Sequence, residues 1–189
     1  MSQEIIRPYA SHGTRGLLDI GFGLGPEDAA FAVMREEYLG LYDEVFCQQP
    51  VLFDGMAELL SAIEARDLRW GVVTNKPRRF TLPLMERLGL SKRAASIVSG
   101  DDCAHPKPYP DTLLLASKQA GAAPSDCIYL GDAERDVIAG TAAGMHTLVA
   151  TYGYLGAHAQ PEAWCAQGMI PAPLPLPGVL PSPAPPPPP

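Results

Sequence analysis

The chain has 189 residues, of which 47% are hydrophobic and 19% charged, the balance of a globular protein that can bury a core. Its net charge of −7 argues against electrostatic binding to nucleic acid or to an anionic membrane surface. The sequence has no apolar run of about 18 residues, and its first residues lack the basic and then apolar order of a secretory signal. We therefore expect a cytoplasmic protein with no membrane-spanning segment.

The first 50 residues predict a small helical layer. Apolar residues recur at three- and four-residue spacing over 27–47, which is typical of a helix with one buried face. A shorter helix is expected over 11–21, because a glycine-rich stretch ends it. We expect these two helices to pack antiparallel as a separate unit over residues 1–50.

From residue 51 onward, the pattern changes to strands that alternate with helices. This alternation implies right-handed βαβ units, and it predicts an α/β fold with a Rossmann-like parallel sheet over 51–165. Binding sites in such sheets form where the strands end. The expected helices are 54–66, 78–88, 110–120 and 134–143, and the expected strands are 69–74, 95–98, 127–130 and 146–150.

The remaining residues, 166–189, are predicted to form a Pro-rich disordered tail. Eleven of the 21 prolines lie in 171–189, where neither helix nor sheet can form. A ligand for an SH3-type domain is one interpretation of this tail, but we favour an extension without a partner. No CxxC pair occurs, so neither a zinc site nor a disulfide framework is indicated and we expect reduced thiols at Cys47, Cys103, Cys127 and Cys165.

Two polar motifs stand in the loops beside the predicted sheet. Thr74 and Asn75 end the first strand and bring a hydroxyl, an amide and backbone N–H groups that suit a phosphoryl oxygen. Lys107 stands among three prolines, which stiffen its loop and hold its ammonium where it can neutralise a phosphate. Taken singly, the first motif is also compatible with an ordinary turn and the second with a solvated lysine.

A third motif, Gly-Asp-Ala-Glu-Arg-Asp, directly follows strand 127–130. Asp132 is expected at the tip of that strand, and Asp136 lies one helical turn later on the same side. Carboxylate oxygens in this position suit a Mg²⁺ ion that keeps several waters and accepts a phosphate oxygen. Taken singly, a helix-capping aspartate is the alternative.

The order and spacing of the three motifs resemble those of the haloacid dehalogenase superfamily. Lys107 follows Thr74 by 33 residues, and Asp132 follows Lys107 by 25, in the order of that superfamily's second, third and fourth motifs. Residues 7–18 and 68–77 resemble, more narrowly, the phosphoglycolate phosphatase group and its N-acetylmuramic acid 6-phosphate phosphatase branch. The resemblance extends over residues 5–165.

This resemblance implies a Mg²⁺-dependent phosphatase that acts on a small phosphorylated metabolite, either 2-phosphoglycolate or N-acetylmuramic acid 6-phosphate. It implies that Thr74 and Asn75 bind the phosphoryl oxygens. It also implies that Lys107 and Thr74 serve catalysis, Lys107 by offsetting the charge on phosphate and nucleophile. Asp132 would ligate Mg²⁺, and Asp136 would support it at the metal site.

The resemblance also identifies residues 1–50 as part of a helical cap that closes over the site and selects the substrate. His12 and Arg15 are then candidate cap contacts, although helix residues without a ligand role remain the simpler interpretation. Small phosphorylated acids and phosphorylated amino sugars are both anionic, so the sequence leaves the choice of substrate open.

The superfamily's first motif, Asp-x-Asp-Gly-Thr, is missing from the sequence. Its first Asp attacks phosphorus and its second acts as general acid and base. Asp54 lies in a partial match with a single carboxylate, and we interpret it as a helix N-cap rather than a nucleophile. The missing motif also implies that the first, central strand is absent, so we expect an N-terminally truncated chain that is poorly stable and inactive alone.

Two alternatives to this interpretation come from other classes. The first is a non-catalytic remnant, or an interaction protein, that keeps weak phosphate binding. The second is a dehalogenase of the same superfamily, which the Gly131-Asp132 metal motif disfavours because dehalogenation needs no Mg²⁺.

Overall fold

The computed structural model describes residues 1–156 and 159–173. Every helix and strand expected from the sequence is present; the strand at 146–150 has the expected ends, and the other elements have shifted ends. Short 3-10 turns lie at Arg7–His12, Pro124–Asp126 and Pro161–Trp164. The elements are α1 (Gln3–Ile6), α2 (Gly13–Phe22), α3 (Phe31–Val45), α4 (Met56–Glu64), β1 (Gly71–Val73), α5 (Arg78–Arg87), β2 (Ser96–Val98), α6 (Asp111–Ala120), β3 (Ile128–Gly131), α7 (Glu134–Ala142), β4 (His146–Ala150) and β5 (Gly168–Ile170).

The N-terminal helical layer consists of α2 and α3, which pack against each other. An aromatic stack joins this layer to the rest of the fold. Tyr38 and Tyr42 stack with their ring centroids 6.0 Å apart, and Tyr42 meets the ring of Phe80, on α5, edge-on at 5.2 Å. Phe80 is 2% exposed, so the stack buries a full aromatic side chain between the two layers.

The strands form two separate parallel sheets. β1 pairs with β2, whereas β3, β4 and β5 form a second sheet in that order. β1 and β3, which the resemblance places on either side of a missing central strand, are not hydrogen-bonded to each other. The expected α/β fold with parallel strands is confirmed, and the sheet is split where that strand is expected to be absent.

Helices hold the two sheets side by side in one layer. On one face, Leu59 and Ile63 of α4 lie in a core cluster with Trp70, which precedes β1, and with Ile128 and Leu130 of β3. On the other face, Leu113 of α6 lies in a cluster with Val73 of β1 and Tyr129 of β3. Burying one such aliphatic side chain contributes about 1.5–3 kcal/mol. The same helices therefore stabilise both sheets.

Two expectations about the chain's organisation are wrong. Asp54 is not a helix N-cap, because α4 begins after Gly55, whose φ of 80° is left-handed and which makes no side-chain capping bond. Residues 168–170, assigned to the tail, form β5, which is anchored where Thr147 N donates to Gln167 Oε1 at 2.7 Å. A strand of three residues beside a proline run is too short to show a period of two. The rest of the expected tail, 174–189, lies outside the described residues.

The four cysteines are free, as expected from their spacing. None of the helices within residues 1–156 and 159–173 is both long enough and apolar enough to cross a membrane.

Candidate active site

A cavity of about 1040 Å³ lies between the helical layer and the ends of β1 and β3. Parallel strands end at the same edge of a sheet, so the polar residues that follow them come together there. Residues of α2 and α3 line the opposite wall, together with the turn before α2, and His12 and Arg15 are among them. The five residues that the three polar motifs supply line this one cavity: Thr74, Asn75, Lys107, Asp132 and Asp136.

Lys107 is held at the centre of the site by three contacts. Its ammonium lies 2.8 Å from Asp136 Oδ1, and it donates to Tyr129 Oη at 2.8 Å and to the carbonyl of Val73 at 3.1 Å. The side chains of Lys107 and Asp136 are only 8% and 6% exposed, so the ion pair is buried. Burial of a charge is tolerated only with a close partner and hydrogen bonds, and these contacts supply both.

Asn75 makes a contact that was not expected from the sequence. Its amide nitrogen donates to the carbonyl of Lys107 at 2.8 Å, and its amide oxygen accepts from the N–H of Lys107 at 3.0 Å. Both polar ends of the side chain are therefore engaged by the backbone N–H and C=O of one residue, 32 residues away. Asn75 therefore fixes the backbone of Lys107, and because its amide nitrogen has a second N–H, its bond to a phosphoryl oxygen stays a prediction.

The two aspartates of the third motif also divide their tasks. Asp136 Oδ2 accepts the N–H groups of Asp132 and Ala133 at 3.2 and 3.1 Å, while Oδ1 faces Lys107. Both oxygens thus have partners within the protein, which favours the supporting role for Asp136 over direct ligation of a metal. Asp132 Oδ2 accepts the N–H of Tyr154 at 2.8 Å. Asp132 is therefore the better placed of the two to bind an ion.

Close backbone approaches hold both carboxylates. A Cβ atom added at Gly131 would collide with the side chain of Asp136, and one added at Gly153 would collide with the side chain of Asp132. Neither site leaves room for a larger residue. Glycine is thus required at these two positions for steric reasons and not for a left-handed turn.

Thr74 and Lys76 connect the end of β1 to the N-terminal helical layer. Thr74 continues the ladder, its N–H donating to Val98 O at 3.0 Å, and its hydroxyl accepts the N–H of Lys76 at 3.1 Å. The Lys76 ammonium donates to Tyr42 Oη at 2.8 Å and lies 4.9 Å from the centroid of the Tyr42 ring. Lys76 therefore links the core to α3 by a hydrogen bond and a cation–π contact.

Tyr129 and Lys76 were not recognised from the sequence. Burial, together with the negative charges of Asp136 and Asp132, raises the pKa of the Tyr129 hydroxyl well above its ordinary value. The phenol therefore stays neutral beside the ion pair. A tyrosine two residues before a Gly-Asp at a strand end was the available signal, but an aromatic residue in a strand is usually explained by packing alone.

The described residues can supply one carboxylate ligand to a Mg²⁺ ion. Within residues 1–156 and 159–173, no cluster of three His, Cys, Asp or Glu side chains could hold a metal. Mg²⁺, however, keeps several waters and is often bound by one or two carboxylates together with a substrate phosphate. Asp132 alone would then be the ligand from the described residues, with water and substrate completing the shell.

Parallel βαβ units, a helical layer facing the strand ends, and a buried lysine beside a strand-end aspartate define the class of protein as a parallel α/β fold with a polar site at the strand ends. The family model for haloacid dehalogenase-like hydrolases matches residues 9–150. The chain belongs to this family.

Relatives agree with this membership. The N-acetylmuramic acid 6-phosphate phosphatase of Pseudomonas putida is 38% identical over 92% of this chain and 78% of its own length. The phosphoglycolate phosphatase of Xanthomonas campestris is 36% identical over 89% of this chain and 76% of its own length.

Solved structures share the fold. A predicted phosphoglycolate phosphatase of Haemophilus somnus has a TM-score of 0.77 at 20% identity, over 92% of this chain and 80% of that one. A HAD-superfamily hydrolase of Geobacter sulfurreducens has a TM-score of 0.65 at 20% identity, over 91% and 75%.

Proposed function

We propose that this chain is the phosphate-binding part of a Mg²⁺-dependent phosphatase whose substrate is 2-phosphoglycolate or N-acetylmuramic acid 6-phosphate. One observation carries the proposal: Thr74, Lys107 and Asp132, from three separate segments, line a single cavity. The names of the relatives supply the two candidate substrates.

Each residue is assigned a role from its contacts. Thr74 and the backbone N–H groups after β1 bind the phosphoryl oxygens, and Lys107 neutralises the charge that builds up on them. Asp136 and Asn75 are positioning residues, because they contact Lys107. Asp132 binds Mg²⁺, which when bound supplies charge neutralisation on a phosphoryl oxygen.

We also propose that this chain alone does not catalyse the release of phosphate. An aspartyl nucleophile needs a general acid and base nearby, and no two aspartates in the sequence are separated by a single residue. Asp54 is exposed and is not among the residues that line the cavity. A non-catalytic phosphate-binding protein is therefore a second candidate, favoured by this observation.

Calorimetry with 2-phosphoglycolate and N-acetylmuramic acid 6-phosphate, each with and without Mg²⁺, tests the site. We expect Mg²⁺-dependent binding that is lost in Asp132→Asn and weakened at least about tenfold in Lys107→Met. Asp54→Asn is the matched control and should bind like the parent chain. Absence of binding by the parent chain would contradict the proposed site.

Phosphate release under the same conditions separates the two candidates. We expect no release above that of Asp132→Asn. Release that disappears in Asp132→Asn would show that another carboxylate serves as nucleophile, and the proposed lack of turnover would be wrong. Binding without release, repeated after an Asp-x-Asp-Gly-Thr strand is fused ahead of residue 1, would favour the non-catalytic protein.

A further inference from the structure

The cavity of the candidate active site carries a surplus of positive charge. Among the described residues, five Lys and Arg side chains line it, against three Asp and no Glu. The chain as a whole has a net charge of −7, so this surplus belongs to the cavity and not to the surface in general. A cavity lined by one sign of charge concentrates ligands of the opposite sign, which are anions here.

The ammonium of Lys107 has no donor left for a further anionic group. It has three N–H groups, and they face the carboxylate of Asp136, the hydroxyl of Tyr129 and the carbonyl of Val73. Lys107 therefore acts on a bound phosphate through its charge. A second anionic group of the same ligand needs a donor from another residue.

Lys76 supplies such a donor. Its ammonium donates to Tyr42 Oη at 2.8 Å and lies 4.9 Å and 5.9 Å from the ring centroids of Tyr42 and Phe80. Two of its three N–H groups remain beyond the bond to Tyr42. None of the ion pairs within residues 1–156 and 159–173 includes Lys76. Lys76 is thus a partly buried cation that lines the cavity without a counter-ion.

The position of Lys76 relative to Thr74 is fixed by the backbone. Its N–H donates to Thr74 Oγ1 at 3.1 Å, and its carbonyl accepts from the N–H of Gly100 and from Thr81 Oγ1, both at 3.1 Å. The aromatic contacts hold the other end of the side chain. A donor that is already ordered loses little conformational freedom when a ligand binds.

We propose that Lys76 is a specificity-determining residue, which binds a carboxylate that the substrate carries in addition to its phosphate. This inference rests on the proposed function, since it concerns the same cavity. Both candidate substrates have such a group, 2-phosphoglycolate on its glycolyl carbon and N-acetylmuramic acid 6-phosphate on its lactyl ether. The substrate class is then a phosphomonoester of an acid, and phosphates of neutral alcohols and sugars bind less tightly.

Two matched pairs of ligands test this inference by calorimetry with Mg²⁺. The first pair is 2-phosphoglycolate and its neutral amide, 2-phosphoglycolamide. The second is N-acetylmuramic acid 6-phosphate and N-acetylglucosamine 6-phosphate, which lacks the lactyl group. We expect the parent chain to bind the acid at least about tenfold more tightly in at least one pair, because a charge-assisted hydrogen bond is stronger than a neutral one. Equal affinities within both pairs would overturn the inference.

Substitutions at Lys76 assign the preference to this side chain. Lys76→Met should reduce it to within about threefold by weakening only the acid, and Lys76→Arg should retain it because the charge is kept. Lys92→Met is the matched control, since Lys92 is exposed and does not line the cavity, and it should behave like the parent chain. If Lys76 serves only to link the core to α3, Lys76→Met will weaken both members of a pair equally, and the inference is wrong.

Arg15 is the competing donor, because it lines the opposite wall of the cavity. Loss of the preference in Arg15→Met, with the preference intact in Lys76→Met, would place the carboxylate against α2 and refute the assignment.

Failure of this inference differs from failure of the proposed function. Mg²⁺-dependent binding without a preference for the acid refutes the role of Lys76 alone. Absence of binding by all four ligands refutes the proposed phosphate site, and the role of Lys76 with it.

Discussion

Breaking the buried ion pair between Lys107 and Asp136 should destabilise the fold strongly. The perturbation is Lys107→Met, which keeps an unbranched apolar stem of similar length and removes the ammonium. Asp136 then keeps its two backbone N–H donors but loses the positive charge 2.8 Å from Oδ1. Tyr129 and the carbonyl of Val73 lose a donor as well.

The size of the effect follows from burial. Removing one partner of a buried pair costs about 3–5 kcal/mol, because the other charge is left without compensation. The two remaining backbone donors on Asp136 place the expected loss near the lower end, about 3 kcal/mol. For a chain of this length, 1 kcal/mol corresponds to roughly 2–4 °C in Tm, so Tm should fall by roughly 6–12 °C.

Urea unfolding followed by circular dichroism measures the loss, with Lys107→Met, Asp136→Asn and the double variant compared. We expect the double variant to lose about 2 kcal/mol less free energy of unfolding than the two single variants lose together. Additivity to within about 0.5 kcal/mol would show that the two charges do not stabilise each other, and it would refute this account of the site.

Two further predictions concern Tyr129 and Gly153. The pKa of Tyr129 is raised in the folded state, so above pH 10 the folded chain binds more protons than the unfolded chain. The free energy of unfolding should therefore fall as the pH rises past 10. Tyr129→Phe should remove the contribution of Tyr129 to this pH dependence. An unchanged slope would contradict the assignment. Gly153→Ala should push Asp132 aside and weaken Mg²⁺ binding roughly 10- to 100-fold by calorimetry. The control Gly21→Ala has open space for its Cβ and should leave Mg²⁺ affinity unchanged.

Much of the fold was predictable from local pattern. The apolar spacing of α3 and the run of β-forming residues before Gly131 identify their elements, because each buries one face or lies wholly inside. β5 could not be predicted in this way. Its three residues join the sheet through a side chain of Gln167, a contact with Thr147 that is 20 residues distant in sequence.

The sequence by itself determined which chemistry-bearing residues follow strands, and therefore that Thr74, Lys107 and Asp132 lie at one edge of a parallel sheet. Only the tertiary structure decided what each residue does there. Asn75 and Asp136 carry the same polar groups as a phosphate or metal ligand, and their observed partners are the backbone and the ammonium of Lys107. Hydrogen-bonding capacity is a property of the residue type, whereas its partner depends on which distant segment packs within about 3 Å.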